Sequence, residues 1–517
     1  MPMALNVLDA ADVADRIPDG ATMALTGSGI FLEADAILAA IEKRFLATGH
    51  PRDLTVVHAL GIGDGVDSGL SRLAHEGLVR KVIGGHWSWS PRMQRLAREN
   101  RIAAYSFPGG VISSLLREIG AGRPGLITRI GLGTFADPRV DGGRCNARAD
   151  EDLVEVVEFD GKAYLRYKPF NVDCAVVRGS EADRRGNISL MREPADLDVY
   201  AVALAARNCG GAVYAQVEKL VERRAISARL YRLPGVLVDA VAVAPDARRT
   251  YLPGYDPHIS GEAAPAEAGE APPAIPDGLR RIIAERAAKE IDRPMSVNFG
   301  YGIPGGIPAL LRAAGAPAYW GTVEQGIHNG ANLDGPMFGA ARDPDAILSS
   351  VEQFDFYSGG GIDIAFLGMG EMDADGNVNV SMINGMLVGP GGFVDITQTA
   401  KKVVFCGAFE AKGLEVDVGP DGKVRIRAPG SVPKFVERVE HITFSGRQAR
   451  RNGQTVLYIT ERAVFRLGPE DVELIELAPG IDLERDVLER MMFRPAIRLA
   501  EAASRLDQAP DRLKVEL

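Results

Sequence analysis

Residues 363–378 read DIAFLGMGEMDADGNV, an apolar strand that leads into an Asp, Gly and Asn turn and then into a second short strand. Residues 173–188, DCAVVRGSEADRRGNI, follow the same plan. Each matched position of the second copy lies 190 residues after its counterpart, as 173 and 363 or 186 and 376 show. A constant offset across both the strand and the turn indicates duplication. The sequence therefore predicts two related α/β domains.

Both halves also open alike, with a strand, a glycine turn and an amphipathic helix, at residues 21–45 and again at 295–313. Apolar runs that alternate with helices, such as residues 54–57 and 236–243, indicate mostly parallel strands that are buried on both faces. Residues 261–277 are rich in Pro, Ala and Glu and predict a solvated linker. We therefore expect an N-terminal domain at 1–260, a linker at 261–277 and a C-terminal domain at 278–517.

The composition is that of a globular protein, with 46% hydrophobic and 25% charged residues and a formal net charge of -10. No dense run of Lys and Arg is present, which argues against a nucleic-acid partner. Four widely separated cysteines argue against a disulfide framework or a zinc site. They fit a reducing cytoplasm. The acidic N-terminus and the lack of a long apolar run predict a soluble, unexported protein without a membrane segment.

Residues 319–330, YWGTVEQGIHNG, predict a short strand that ends at a carboxylate, Glu324, followed by a turn built on Gly326 and Gly330. An open parallel sheet places its ligand crevice at the carboxyl ends of its strands. Glycines after the carboxylate allow a sharp bend and the close approach of a ligand. Glu324 is therefore a candidate functional residue at the edge of a crevice.

A second glycine cluster, GPGGF at residues 389–393, precedes another helix start. Successive glycines can turn several backbone N–H groups toward one point and form an anion-binding nest. Such a nest serves as a phosphate loop or as an oxyanion hole for an acyl intermediate. The cluster lacks the GxGxxG spacing and a following Lys-Ser/Thr pair, which disfavours both a Rossmann fingerprint and a P-loop.

The Glu324 turn followed by GPGGF, on two duplicated α/β halves, resembles the class I coenzyme A transferases. More narrowly it is similar to their single-chain acetate/propionate branch, which acts on short-chain acyl groups. Four further stretches carry the same resemblance: IGGHW at 83–87, GLGTFADPR at 131–139, QFDFY at 353–357 and LYITERAVF at 457–465. The resemblance extends from about Ala21 to about Arg494. It implies the CoA-transferase fold.

In that family a Glu placed as Glu324 is the nucleophile. The resemblance implies that it attacks an acyl-CoA to form a mixed anhydride, which CoA thiolate converts to a glutamyl-CoA thioester. Coenzyme A is then substrate and covalent intermediate, and no metal, ATP or permanently bound cofactor is needed. Residues Gly389, Gly391, Gly392 and Phe393 are expected to form the oxyanion and CoA-binding loop, with the N–H groups around Gly391 and Gly392 as donors.

Two departures from the family pattern affect the environment of Glu324. Where the branch usually has a Pro-Gln-Gly turn that positions the catalytic Glu, this sequence has Gly109 and lacks the amide. The segment after the nucleophile, from Gln325 through His328, is also atypical. We hypothesise that Gln325 or His328 supplies a substitute hydrogen bond, or that the acyl pocket is shaped for a different acid.

The expected function is CoA transfer between a short-chain acyl-CoA and a free carboxylic acid. Two alternatives remain open: a CoA-thioester hydrolase on the same scaffold, and a non-catalytic protein that binds acyl-CoA. The donor and acceptor acids are not fixed by the sequence, because one methylene in a pocket changes binding by only about 1 to 3 kcal/mol. The resemblance also implies a homo-oligomer, a dimer or a tetramer.

Overall fold

The computed structural model describes residues 5–222, 226–245, 255–263, 275, 278–316, 318–333 and 335–499. The N-terminal half contains an eight-stranded sheet in which every neighbouring pair is parallel. Its central strands are buried on both faces, as their continuous apolar sequence predicts. In spatial order the strands are Val7–Leu8, Ala240–Val243, Ala212–Val217, Cys174–Arg178, Thr22–Leu25, Leu54–His58, Val79–Gly84 and Ala103–Ser106.

The C-terminal half contains a ten-stranded mixed sheet. Its centre, from Tyr319–Val323 to Thr455–Ile459, is parallel, whereas antiparallel pairs lie toward both edges. The sheet orders its strands as Ala346–Ile347, Ile327–His328, Tyr319–Val323, Met295–Phe299, Ile364–Gly368, Lys402–Cys406, Thr455–Ile459, Ala463–Leu467, Val472–Leu477 and Ala496–Ile497. Mixed α/β architecture with large, mostly parallel sheets is thus confirmed.

Helices connect the parallel strands and cover the sheets. Those of the N-terminal half are Ala10–Asp15, Asp35–Thr48, Leu70–Leu73, Pro91–Arg98, Gly109–Gly120 and Val199–Asn208. Those of the C-terminal half are Leu279–Ala288, Ile307–Ala313, Ser350–Ser358, Phe393–Thr397, Gly446–Asn452 and Leu483–Asp486. A four-stranded sheet contains, in spatial order, Lys219–Val221, Glu181–Asp183, Ile188–Ser189 and Tyr231–Leu233. A three-stranded sheet contains Leu126–Thr128, Lys162–Tyr167 and Val154–Phe159.

The sequence repeat corresponds to one turn that is built twice. The Asp183 carboxylate accepts the backbone N–H of Asn187 at 3.0 Å, and the Asp373 carboxylate accepts that of Asn377 at 3.0 Å. The side-chain amide of each Asn returns a hydrogen bond to the other oxygen of the same Asp. In both copies a glycine before the Asn has a φ between 78° and 79°. The offset in sequence therefore reflects equivalent structure.

One local prediction needs correction, and one is not tested. Residues 236–243 were expected to form one strand, but Gly235–Leu237 is a 3-10 turn and the strand begins at Ala240. The side chain of Asp239 accepts the backbone N–H of Val213 and a guanidinium N–H of Arg207, which fixes the chain just before the strand. Of the predicted linker, residues 264–274 and 276–277 lie outside the described residues. The domain boundaries themselves stay a prediction.

The two halves pack against each other through helix Gly109–Gly120 of the first half and helices Ser350–Ser358 and Phe393–Thr397 of the second. One apolar core runs through this contact and includes Leu116, Phe354 and Val394. Across the same contact Arg117 forms an ion pair with Asp355. Among the residues that the structure describes, no helix has the length and apolar character needed to cross a membrane.

Candidate active site

Glu324 follows directly on the strand Tyr319–Val323, where the chain turns back into the antiparallel strand Ile327–His328. The turn requires glycine at position 326, whose φ is +94°. A Cβ atom at that position would also lie 2.1 Å from the carbonyl oxygen of Leu348. The predicted strand, carboxylate and glycine turn are therefore present, and they place Glu324 at the carboxyl end of the strand.

Glu324 lines a cleft of about 310 Å³ between the two halves of the chain. The first half contributes Ser28, Leu60, Gly61, Gly65, His86, Ser88 and Trp89, and the second contributes Tyr301, Glu324, Gln325 and Phe338. Among these described lining residues Glu324 carries the only carboxylate, and there is no Arg or Lys. The cleft is therefore a mostly neutral, partly aromatic space with one acid in its wall.

Within the described parts of the chain, the carboxylate of Glu324 has one hydrogen-bond donor. The backbone N–H of Gly392 donates to its Oε2 atom at 2.9 Å. Burial raises the pKa of Glu324 to about 7, and this hydrogen bond opposes the rise. A buried carboxylate with few donors is poorly solvated, which is why its charged form is disfavoured.

The GPGGF loop directs only one of its N–H groups at Glu324. The N–H of Gly389 donates to Ser381 O at 3.0 Å, that of Gly391 to Gly85 O at 2.8 Å, and that of Phe393 to Pro390 O at 3.0 Å. In the structure the Gly392 N–H points at Glu324 and the Gly391 N–H is already bonded to Gly85 O. The expectation that the N–H groups around Gly391 and Gly392 are the oxyanion donors stays a prediction. The three other N–H groups fix the shape of the loop.

A group of buried polar side chains next to the Glu324 strand was not singled out from the sequence. The Tyr357 hydroxyl donates to Thr322 Oγ1 at 3.1 Å, and Asn298 Nδ2 donates to the Tyr357 oxygen at 3.2 Å and to Thr322 O at 3.0 Å. Burial raises the pKa of Tyr357, and the nearby Glu324 raises it further. Asn298 places an amide between the apolar residues Val297 and Phe299 of the strand, which was the available sequence signal.

Asp395 is a second carboxylate near Glu324, and it is fully buried. Its Oδ2 atom accepts the backbone N–H of Gly110 at 3.1 Å, at the start of helix Gly109–Gly120. Burial raises the pKa of Asp395 well above its ordinary value, and the negative charge of Glu324 contributes to the rise. The sequence placed Asp395 at a helix start but gave no sign that it faces the other half of the chain.

The three residues proposed to position Glu324 occupy different places. Gln325 is buried and its Nε2 atom donates to Ser28 Oγ at 3.1 Å, while His328 Nδ1 accepts the indole N–H of Trp320 at 2.8 Å. Neither side chain hydrogen bonds to Glu324 in the structure. Gly109 begins a helix, and its N–H donates to Gly391 O at 2.7 Å. Gly109 is thus connected to the loop that contacts Glu324.

His86 faces the cleft from the first half, with Ser88 Oγ 3.1 Å from its Nε2 atom. Burial lowers the pKa of His86 to about 4, and the nearby His58 lowers it further, so the ring is neutral near pH 7. No group of three or more His, Cys, Asp or Glu side chains suited to a metal ion is found within the described part of the chain.

Two comparisons with known proteins define the class. The model of the coenzyme A transferase family matches residues 7–244. Over 496 residues the chain is 42% identical to the acetate CoA-transferase YdiF of Escherichia coli K12, covering 95% of this chain and 92% of that protein. The chain therefore belongs to the coenzyme A transferase family of enzymes.

A second relative is the caffeate CoA-transferase of Acetobacterium woodii, which is 41% identical over 499 residues and matches 95% of this chain and 94% of that protein. The fold is similar to the crystal structure of the acyl-CoA transferase YdiF from Escherichia coli O157:H7 in a thioester complex with CoA. That similarity has a TM-score of 0.90 at 40% identity and covers 96% of this chain and 94% of the other. The resemblance, fold class and CoA-transferase activity expected from the sequence are confirmed.

Proposed function

We propose that the protein transfers CoA between a short-chain acyl-CoA and a free carboxylic acid, with Glu324 as the nucleophile and a glutamyl-CoA thioester as the intermediate. One observation carries the proposal: the Glu324 carboxylate lies in a cleft between the two halves, with its Oε2 atom 2.9 Å from the Gly392 backbone N. The CoA-thioester complex formed by the similar YdiF transferase supports the same chemistry.

The first half-reaction has two attacks. A Glu324 carboxylate oxygen attacks the thioester carbonyl carbon, the carbon–sulfur bond breaks, and CoA leaves as a thiolate beside an acyl-glutamyl anhydride. The thiolate then attacks the glutamyl carbonyl carbon, the carbon–oxygen bond breaks, and the first acid leaves as a carboxylate. A second carboxylate reverses both attacks and regenerates Glu324. No proton, electron pair or phosphate is gained or lost overall.

The residues near Glu324 suit these steps. Each attack develops negative charge on a carbonyl oxygen, and the Gly392 N–H is the donor that already points at the carboxyl group. Losing such a donor typically costs on the order of 3 kcal/mol in transition-state stabilisation. With a pKa of about 7, a substantial fraction of Glu324 is ionised near pH 7. Because the side chain is buried, this carboxylate has little solvation to lose when it attacks.

The proposal also includes a cytoplasmic location and self-association as a dimer or tetramer. All four cysteines are free thiols, which is compatible with a reducing compartment. Size-exclusion chromatography with light scattering would measure the assembly directly. A monomer at micromolar concentration would contradict that part of the proposal and leave the chemistry unaffected.

The test of the chemistry is to trap the intermediate. The protein is incubated with an acyl-CoA, treated with borohydride or hydroxylamine, and digested for mass spectrometry; we expect the modification on Glu324 alone. Glu324→Gln is the control and should carry none. Modification elsewhere, or full turnover by the Glu324→Gln variant, would rule out Glu324 as nucleophile.

Stoichiometry separates the transferase from a thioester hydrolase. In a ping-pong transferase CoA stays on the enzyme as the thioester, so free CoA is released only by slow side reactions. A new acyl-CoA forms when a second acid is added. A hydrolase releases one thiol per thioester without an acceptor. We expect product to require the acceptor acid. Thiol release at the same rate without any acceptor would favour the hydrolase.

A further inference from the structure

One peptide group in the GPGGF loop is held at both of its polar ends. Its N–H, that of Gly392, donates to Glu324 Oε2 at 2.9 Å. Its carbonyl, that of Gly391, accepts the N–H of Gly109 at 2.7 Å. Because a peptide group is planar, fixing the direction of the carbonyl fixes the direction of the N–H. The Gly109 N–H therefore sets where the Gly392 N–H points.

Gly109 is well suited to this contact because it is the first residue of the twelve-residue helix Gly109–Gly120. The first N–H groups of a helix have no acceptor within the helix and carry part of its positive end. Hydrogen bonds in series polarise one another, so the bond to Gly391 O strengthens the Gly392 N–H as a donor. Since the helix belongs to the first half and the loop to the second, this donor depends on both halves.

Asp395 holds the helix start against the loop. It lies three residues after Gly392, is fully buried, and accepts the N–H of Gly110 at 3.1 Å. The contact is close: a Cβ atom at Gly110 would lie 2.5 Å from Asp395 Oδ1 and 2.5 Å from the ring of Phe354. The segment around the GPGGF loop thus accepts two successive N–H groups of one helix, through Gly391 O and Asp395 Oδ2.

We propose that Asp395 is a positioning residue for CoA transfer, acting through the start of helix Gly109–Gly120 to orient the Gly392 N–H toward Glu324. The inference deepens the proposed function and rests on Glu324 as the nucleophile. It also gives Gly109 a role that needs no side chain. A Cβ at Gly109 would lie 3.0 Å from Ala59 O and 3.2 Å from the Gly391 carbonyl carbon, so the backbone-to-backbone contact depends on a small residue.

The principal test compares Asp395→Ala with Asp395→Asn. Alanine removes the acceptor for Gly110, whereas the Asn side-chain oxygen can replace it. We expect Asp395→Ala to lower kcat about tenfold or more with KM for acyl-CoA within about twofold, and Asp395→Asn to retain kcat within about threefold. Asp373→Ala is the matched control, because Asp373 is another buried carboxylate that accepts backbone N–H groups in a turn. It should change kcat less than twofold when assayed below its melting temperature.

The result that overturns the inference is a kcat for Asp395→Ala within twofold of wild type, or an Asn variant as slow as the Ala variant. If Asp395→Ala does not fold, the pair Gly109→Ala and Gly109→Pro replaces it. Both add a Cβ atom, but only proline removes the N–H that Gly391 O accepts, and proline is tolerated as the first residue of a helix. We expect kcat of Gly109→Pro to be at least tenfold below that of Gly109→Ala. Equal values would also overturn the inference.

Single-turnover trapping separates this inference from the proposed function. If wild-type protein forms no adduct on Glu324, the proposed nucleophile is wrong whatever the variants do. If the wild type forms the adduct and Asp395→Ala forms it at the same rate, only the positioning role of Asp395 is wrong.

Discussion

A Cβ atom at Gly392 would lie 2.1 Å from Glu324 Oε2, the same oxygen that the Gly392 N–H contacts at 2.9 Å. The proposed nucleophile and its backbone donor are thus so close that no side chain fits between them. The loop φ at Gly392 is -84°, so backbone strain does not require this glycine. Glycine is required here because Glu324 lies so close.

We therefore predict that Gly392→Ala lowers kcat by roughly 10² to 10³, because the methyl group displaces the carboxylate from the donor. The measurement is steady-state CoA transfer between two acids. Gly305→Ala is a suitable control, since its Cβ would meet nothing nearer than 3.8 Å and its φ is not positive. It should stay within twofold of wild type. Wild-type activity in Gly392→Ala would show that the contact is not used.

The pH dependence of kcat/KM should report the ionisation of Glu324. Only the carboxylate attacks, and burial raises its pKa to about 7, so kcat/KM for acyl-CoA should rise with pH, with an inflection near 7. His86→Gln is the control for the imidazole in the cleft, whose pKa burial lowers to about 4. It should leave the inflection near 7. An inflection that stays near 4.5 in wild type would contradict the raised pKa.

Stability should depend on pH in the opposite sense from that of a salt-bridged acid. The folded pKa of Glu324 exceeds the unfolded value, so its contribution is fully present below pH about 4.5 and is lost as pH rises through about 7. Glu324→Gln carries no charge at any pH. We predict that its free energy of unfolding matches that of wild type near pH 4.5 and exceeds it at pH 8 by about 3 kcal/mol, with a correspondingly higher melting temperature at pH 8. A variant less stable than wild type at pH 8 would contradict this sign.

The lining of the cleft predicts which acids are accepted. Among its described lining residues there is no cation, and Glu324 supplies a negative charge, so a second carboxylate on the substrate would be desolvated without a partner. We expect acetate and propionate to be accepted and succinate to react with a kcat/KM at least about 100-fold lower. Monomethyl succinate, which masks the second charge, is the matched control and should recover much of the rate. Equal use of succinate would show that a cation reaches the substrate.

The sequence predicted the parts of the site that depend on local pattern. The strand before Glu324, the glycine turn after it and the repeated Asp and Asn turns follow from apolar runs and from residues that tolerate a positive φ. Contacts between distant segments leave no such trace. Asp395 meets Gly110 across 285 positions, and the Gly391 N–H is diverted to Gly85. Neither contact has a periodicity or a motif, because each depends on how the two halves pack.

The buried charges around Arg462 give a last prediction, on stability rather than chemistry. Arg462 is 1% exposed and donates to Glu461 Oε1 at 2.9 Å, to Glu410 Oε2 at 2.6 Å and to Asp486 O at 2.7 Å. These contacts make Arg462 the shared cation of a buried charge cluster. Removing the cation leaves the buried Glu461 without its ion-pair partner, while Glu410 keeps Arg490, whose Nε donates to Glu410 Oε1 at 2.6 Å. Breaking a buried ion pair on one side typically costs about 3 to 5 kcal/mol.

We therefore expect Arg462→Met to lower the urea midpoint and melting temperature markedly, while the fraction that remains folded turns over at the wild-type rate. Arg425→Met is the matched control, because its ion pair with Asp421 is exposed on both sides and should contribute less than about 1 kcal/mol. Active-site titration by the trapped adduct gives the folded, competent fraction against which turnover is normalised. If Arg462→Met kept its stability but lost turnover per active site, Arg462 would belong to the catalytic apparatus instead, and the division between a structural charge cluster and the Glu324 cleft would be wrong.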